Sequence, residues 1–349
     1  MSNSLGDSAP VSQGRPRRRT PALRFLRVPA MCVLLATFAG LFADLWWALD
    51  LLNHFRPLLL VMLVALCCVP SLIRQPVWRL ALIAGVAVNS AMVLPIFFGR
   101  DTREANLDIP PLTVLAFNVH TANKQHDDAV KYMAATGADL ILVQEVNDAW
   151  LADLQQGLPE YDVLLARARD DNFGIALLAR RDALHETRGL RITSVKTIDP
   201  SAGLSRVPAI ELLGHWHGRP LAFMGLHTLP PLIASVAAHR NAQLAGAGQW
   251  ARDHERIASL IIGDLNATPW CMPFRRLMTE TDLFNAMQGR WPTGTWHSSL
   301  PGLLRLPIDH CLHSRELVTL SCEIGSQSFG SDHRPMLVKL GWVVDEEAY

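Results

Sequence analysis

Residues 259–270 read SLIIGDLNATPW, and their reading decides the fold. Residues 259–263 are a short apolar run, consistent with a strand buried on both faces. The run hands over at once to Asp264 and Asn266, before Pro269. The same hand-over recurs along the chain. Residues 112–119 (LTVLAFNV) lead to Asn118, residues 139–145 (DLILVQE) to Glu145, and residues 220–226 to His227. The run LPI at 306–308 meets Asp309 and His310, while Ser331, Asp332 and His333 stand just before the last apolar run, 335–340. A further strand is expected at 173–179. Helices are expected at 127–136, where Gly137 stops the first, and at 232–252. Strands and helices mixed in this way suit a layered α/β (α+β) sandwich.

Side chains at one edge of a sheet can converge on one cleft. A buried carboxylate there is costly unless it meets a cation or a donor. One hard divalent cation would account for Glu145, Asp264, Asp309 and Asp332 together, and oxygen ligands without thiolate favour Mg²⁺ or Mn²⁺ over Zn²⁺. The six cysteines show no CxxC spacing. Cys311 and Cys322 are open to two readings, a disulfide or two buried thiols.

The rest of the chain has a different composition. Between 28 and 99 only Asp44, Asp50, Arg56, Arg74 and Arg79 carry charge, whereas 23 basic and 29 acidic residues lie from Arg100 onward. Apolar stretches at 28–49, 57–73 and 77–98 predict three transmembrane helices, with contact to the lipid bilayer through residues 28–99. Residues 1–27 form a basic tail with six arginines against Asp7, expected to be disordered. Residues 100–111, ending in Pro110-Pro111, read as a linker, and 112–345 as the large domain. Arginines favour the cytoplasmic side. With three spans, a multi-pass chain in a bacterial inner membrane would therefore carry its large domain on the periplasmic side. Loss of the second span would reverse this. The acidic balance of the large domain argues against a constitutive polyanion binder, which shows a basic domain.

FNVH, LVQEV, FGIALLAR, GLHT, GDLNATPW, PIDHCL and GSDHRPMLVKL follow one another in this order. In these motifs the chain resembles the endonuclease/exonuclease/phosphatase superfamily, whose members include deoxyribonucleases, sphingomyelinases and inositol polyphosphate phosphatases. A membrane-anchored bacterial branch is similar overall. The resemblance spans about 112–340 and implies a four-layer sandwich of two packed mixed β-sheets flanked by helices. It also implies a hydrolase of phosphoric esters that uses Mg²⁺ or Mn²⁺. Glu145 would be the main metal ligand, with Asn118 and Asp332 completing the metal environment. Asp264 would orient the attacking water, and Asn266 would donate to the scissile phosphate. His333 would act in proton transfer or phosphate contact, with Asp309 fixing its tautomer. His227 matches a histidine of the deoxyribonuclease and sphingomyelinase branches. His120 stands where some relatives carry an aspartate.

Each of these residues has a plainer reading when taken singly. Asn118, Asp264, Asn266 and Asp332 suit turns, Glu145 a helix cap, Asp309 an ion pair with an arginine, and the histidines core hydrogen bonds. Their joint order is what points to a site. Arg206 is open between a phosphate contact and a surface ion pair. Asn172 is open between the cleft and a turn before the strand, Trp270 and Trp296 between the cleft and core packing. Nothing in the motifs supplies a nucleophile with its own base, which favours direct attack by water. The expected substrate of an extracytoplasmic phosphodiesterase is a lipid head group or another phosphoester near the membrane; the alternative is nucleic acid, in an extracytoplasmic nuclease. A catalytically silent membrane scaffold is the remaining class. No protein partner is readable.

Overall fold

The computed structural model describes residues 25–185, 189–290 and 294–344. All but the last three residues of the basic tail therefore lie outside it. The chain opens with an all-helical segment: α1 (Arg27–Ala39), α2 (Trp47–Asn53), α3 (Arg56–Cys67), α4 (Pro70–Ile73) and α5 (Pro76–Val93). Three spanning helices are not what forms. Only Pro76–Phe97, 22 residues, is long and apolar enough to cross a bilayer among the described residues. The segments α2 and α3 pass the same test only as one pair bent by 63°. Arg27–Phe42 is apolar but shorter.

Proline explains the breaks, because it lacks the N–H and clashes with the preceding turn, so it starts helices rather than continuing them. Pro57, Pro70 and Pro76 each sit in the first turn of α3, α4 or α5. The three-span argument for a periplasmic domain falls with the span count. Its arginine count changes as well. Arg56 is no loop residue but is fully buried, donating to Asn53 Oδ1 at 2.9 Å, the Thr37 carbonyl at 2.8 Å and Asn89 Oδ1 at 3.1 Å.

Residues 100–111 are not a free linker. Asn106 N–H donates to the Trp342 carbonyl, Trp216 Nε1 donates to the Pro110 carbonyl, and Ala105 bridges to Val343. The large domain then runs β1 (Leu112–Asn118), α6 (His126–Thr136), β2 (Leu140–Gln144), α7 (Asp148–Gly157), β3 (Tyr161–Arg167), β4 (Ile175–Arg180), β5 (Leu190–Ile198), β6 (Ala209–Trp216) and β7 (Arg219–Gly225). It continues with α8 (Ala234–Asp253), β8 (Ala258–Asp264), α9 (Met272–Thr279), β9 (Phe284–Asn285), β10 (Asp309–His313), β11 (Leu317–Ile324) and β12 (Met336–Trp342). Gly137 closes α6 at φ 58°, a left-handed cap that glycine adopts without penalty.

Two six-stranded mixed sheets result, ordered β11-β12-β1-β2-β4-β3 and β5-β6-β7-β8-β10-β9. Each has one parallel pair at its centre, β1 with β2 and β7 with β8; the neighbours are antiparallel. The sheets pack face to face through Val114, Leu142, Leu177, Leu212, Phe223, Leu260 and Val338. The alternate residues Leu115, Phe117 and Val143 face Met133 and Trp150 of α6 and α7. Met224 and Ile261 face Leu244 and Phe274 of α8 and α9. Strands buried on both faces need continuous apolar runs, which is why the sequence shows them without alternation.

One core histidine sets an acid limit on the fold. His313 donates through Nδ1 to the Ser314 carbonyl and accepts at Nε2 from Thr319 Oγ1. Burial lowers its pKa from 6.5 to about 4. The unfolded chain therefore binds a proton that the fold refuses between these values. Stability from this group is complete above pH 6.5 and is lost as pH falls toward 4, by up to about 3 kcal/mol. Thermal unfolding of the full chain in detergent is expected to show this fall, and His313→Gln to flatten it.

Candidate active site

The topology brings the strand-end residues to one edge. Strands β1 and β2 are parallel, so Asn118 and Glu145 leave the first sheet at the same end; His227 and Asp264 do so at the ends of β7 and β8. Strand β10 is antiparallel to β8, with Asp309 opposite Asp264 in register. His333 precedes β12, which runs antiparallel to β1. Buried Gln144 ties the two halves together, donating to the Leu226 carbonyl and accepting from Asp264 N–H. In the sequence the one mark of Gln144 is an amide inside an apolar strand.

The site has an oxygen-rich half. Asn118 Nδ2 donates to Glu145 Oε1 at 2.9 Å, and Thr121 holds Glu145 through its N–H to Oε2 at 3.2 Å and its hydroxyl to the carbonyl at 2.9 Å. Asp332 accepts from Trp296 Nε1 at 2.9 Å on Oδ2, while its buried Oδ1 has no hydrogen-bond partner. His120 Nδ1 lies 3.5 Å from Glu145 Oε2 and 3.6 Å from Asp332 Oδ1. Glu145, His120 and Asn266 have φ values of 63°, 61° and 42°. Such left-handed backbone is strained for residues other than glycine, and it clusters at functional sites. Gly174 makes the Glu145 turn possible: its carbonyl accepts Glu145 N–H at 2.7 Å, and a Cβ on Gly174 would meet the Val146 carbonyl oxygen.

The other half is a histidine relay. His333 Nδ1 contacts Asp309 Oδ2 at 2.9 Å, and its Nε2 lies 3.5 Å from Asp264 Oδ2. Burial opposes charge on His333, but the carboxylates of Asp309 and Asp264, with the Asp309 hydrogen bond and Asp332 behind, raise its pKa to about 10. The ring is then a cation at neutral pH. Burial also pushes the Asp264 carboxyl up, but His333, His227 and the Asn266 N–H outweigh this and hold it below its ordinary value. Asp264 Oδ2 is approached by His227 Nε2, Asn118 Nδ2 and Asn266 Nδ2, each at 3.4 Å. Asn266 Nδ2 also donates to the Thr228 carbonyl at 2.8 Å.

This arrangement corrects the reading of four acids around one cation. Asp309 is committed to His333, and the proximity of Asp264, Asp309 and His333 is that of an imidazolium between two carboxylates. Oxygen donors from Glu145, Asp332 and Asn118 remain. With one carboxylate oxygen buried and unpaired, that set fits a hard divalent cation such as Mg²⁺ or Mn²⁺.

The profile of the Endonuclease/Exonuclease/phosphatase family matches residues 115–333, which include every residue of both halves. The chain belongs to this family. It is thereby a hydrolase of phosphoric esters, and enzymes of the family generally use divalent metals. Solved structures share the fold. An endonuclease/exonuclease/phosphatase from Bacteroides vulgatus has a TM-score of 0.54 at 19% identity, covering 66% of this chain and 99% of that one. TDP2 from D. rerio, complexed with a single-strand DNA product, has a TM-score of 0.56 at 14% identity, covering 66% and 99%. A mannosyl-6-phosphatase from Bacteroides thetaiotaomicron has a TM-score of 0.52 at 18% identity, covering 66% and 100%. Comparison with curated protein sequences gave no match.

A cavity of about 570 Å³ opens over this cluster and is lined by Glu145, His227, Asp264, Asn266, Asp332 and His333. Asn172 and Trp296 also line it, so these two open residues go to the cleft, whereas Trp270 is buried in the core. Arg206 is a correction: it is exposed, lies outside the cavity wall, and offers its carbonyl to Arg169 at 3.4 Å. Cys311 and Cys322 are free thiols. Leu51, His54 and Phe55 of the helical segment line the same cavity, and the sequence carried no sign of it.

Proposed function

We propose that this protein is a membrane-associated, divalent-cation-dependent phosphodiesterase that hydrolyses its substrate by direct attack of water. The observation that carries the reading is the meeting of the Glu145–Asp332–Asn118 oxygen cluster with the Asp309–His333–Asp264 relay at the floor of one cleft. Glu145, Asp332 and Asn118 would hold the cation, which when bound would supply positive charge to the phosphate and leaving oxygens. Asp264, held ionised, accepts a proton from water and orients it. Asn266 keeps one amide hydrogen on the Thr228 carbonyl and turns the other, loosely set at 3.4 Å from Asp264 Oδ2, to the phosphate. His333, charged and fixed by Asp309, holds a proton at Nε2 for the leaving oxygen or a phosphate oxygen.

The cleft also bears on the substrate. Among the described residues that line it there is neither lysine nor arginine, whereas a nucleic-acid channel relies on such charges. This supports a phospholipid head group over DNA or RNA. Pro76–Phe97 supports membrane association.

The test uses the full chain in lipid nanodiscs with a 4-nitrophenyl phosphodiester. EDTA is expected to abolish release of nitrophenolate, and Mg²⁺ or Mn²⁺ to restore it. In calorimetry, Glu145→Ala is expected to weaken binding of the added metal at least tenfold. Activity that survives complete chelation would sink the proposal. Metal-dependent nicking of supercoiled plasmid at comparable efficiency would move the substrate to nucleic acid.

A further inference from the structure

We infer that the N-terminal helical segment completes the active site, with Leu51 and Phe55 forming, together with Leu232, an apolar subsite for a hydrocarbon substituent of the phosphodiester. This rests on the phosphodiesterase reading and narrows it to an amphiphilic substrate. Leu51 and Phe55 lie outside the family match at 115–333, yet they share one cavity with Glu145, Asp264, Asn266, Asp332 and His333. The wall is therefore an addition of this chain to the family site.

The wall is anchored, not merely adjacent. Asp50, one residue before Leu51, accepts Met272 N–H on Oδ1 at 2.7 Å and pairs through Oδ2 with Arg240 at 3.4 Å. Arg240 in turn donates through Nη1 to the Asn266 carbonyl at 2.8 Å. Two buried charged side chains thus connect the backbone that carries Leu51 to the backbone of the phosphate-facing asparagine. Both are almost fully excluded from solvent, at 5% and 2% exposure. Burying such a pair is expensive unless its geometry is used. Next to it His54 lines the cavity, itself buried, with Nε2 lacking any hydrogen-bond partner.

The chemistry of the mouth indicates the occupant. Phe55 is 47% exposed and Leu232 75%, and the neighbouring Ile233 is 57% exposed. Phe55 leads directly into α3, whose Val61, Met62 and Val64 are also exposed. Large apolar side chains grouped at a cavity mouth mark a binding or membrane surface rather than ordinary solvent-facing loop. A sugar phosphate or nucleotide would leave this wall in contact with polar groups. An alkyl or acyl chain attached to the phosphate would cover it.

The experiment compares 4-nitrophenyl octyl phosphate with 4-nitrophenyl methyl phosphate on the full chain in nanodiscs with Mg²⁺. The leaving group is common, so the ratio of kcat/KM reads the contribution of the chain. Partition of the octyl ester into lipid is the same for every variant. Wild type is expected to prefer the octyl ester. Leu51→Ala, Phe55→Ala and Leu232→Ala are each expected to lower the octyl-to-methyl ratio about tenfold, chiefly through KM for the octyl ester. Phe55→Leu should keep most of it. Leu232 lies on an exposed loop, so its variant reports even if the Leu51 and Phe55 variants fail to fold. A ratio near one in wild type, or a ratio unchanged in folded variants, overturns the subsite. Failure to hydrolyse either ester with metal present overturns the phosphodiesterase reading as well.

Discussion

His333→Ala is expected to lower kcat for phosphodiester hydrolysis by about 10³-fold, with little change in KM or in metal binding. The ring is positioned by Asp309 at 2.9 Å and faces Asp264 at 3.5 Å, so its removal takes away the proton at Nε2 and the cation between two carboxylates. Loss of a positioned general acid typically costs 10²–10⁴-fold. A second term adds to it, because Asp264 and Asp309 then face each other without an intervening positive charge. Asp309→Asn, which keeps the shape but removes the charge, should cost less than His333→Ala. Steady-state kinetics with calorimetric Mg²⁺ titration separates the two effects. If His333→Ala retains more than about a tenth of the wild-type kcat, the relay is not the source of the proton.

The second large effect lies at the joint between the helical segment and the domain. Asp50→Ala removes the partner of buried Arg240 and the acceptor of Met272 N–H. Removing one member of a buried ion pair typically costs about 3–5 kcal/mol, because the other charge is left uncompensated. The expected readouts are a marked fall in the thermal midpoint of the full chain and new proteolytic cleavage between α1 and α3. Activity should fall as well, since Arg240 also holds the Asn266 carbonyl. The pair Asp50→Leu with Arg240→Leu should recover much of the stability, because no charge is then stranded, but not the hold on Asn266. If Asp50→Ala unfolds like wild type, the joint is held by its other contacts. The hydrogen bonds that the Ile96 and Pro95 carbonyls, just beyond α5, accept from Gly289 N–H and Gln288 Nε2 would then be its main support.

How much was legible can be judged residue by residue. Asn118, Glu145, His227, Asp264, Asp309 and His333 were readable because each ends or begins an apolar run, and runs buried on both faces leave a strong local pattern. Strands β5 and β11 were not readable. Their residues are largely half-exposed, so burial leaves no clear period. The helix α9 is only 8 residues long and carries Pro273 at its second position, too short for a periodic signal. Asp50 looked like a stray charge at the edge of an apolar stretch. Its partner Arg240 is 190 residues away, and no local rule connects the two.

The same contrast runs through the site. Order and spacing along the chain determined the family, the two-sheet sandwich and the chemistry-bearing side chains, because parallel central strands must bring their ends to one edge. Which acid lies against the histidine and which keeps an oxygen unpaired was decided only by distance, since carboxylates of identical type differ in surroundings according to what lies within about 3 Å. Hydropathy predicted three spans, but prolines at helix starts and the burial of Arg56 against Thr37 and Asn89 broke them into shorter pieces. Composition measures how apolar a stretch is, not which surface it meets. Only the tertiary structure could seat Leu51 and Phe55 against the catalytic cleft, because that wall exists through packing between segments that the chain keeps far apart.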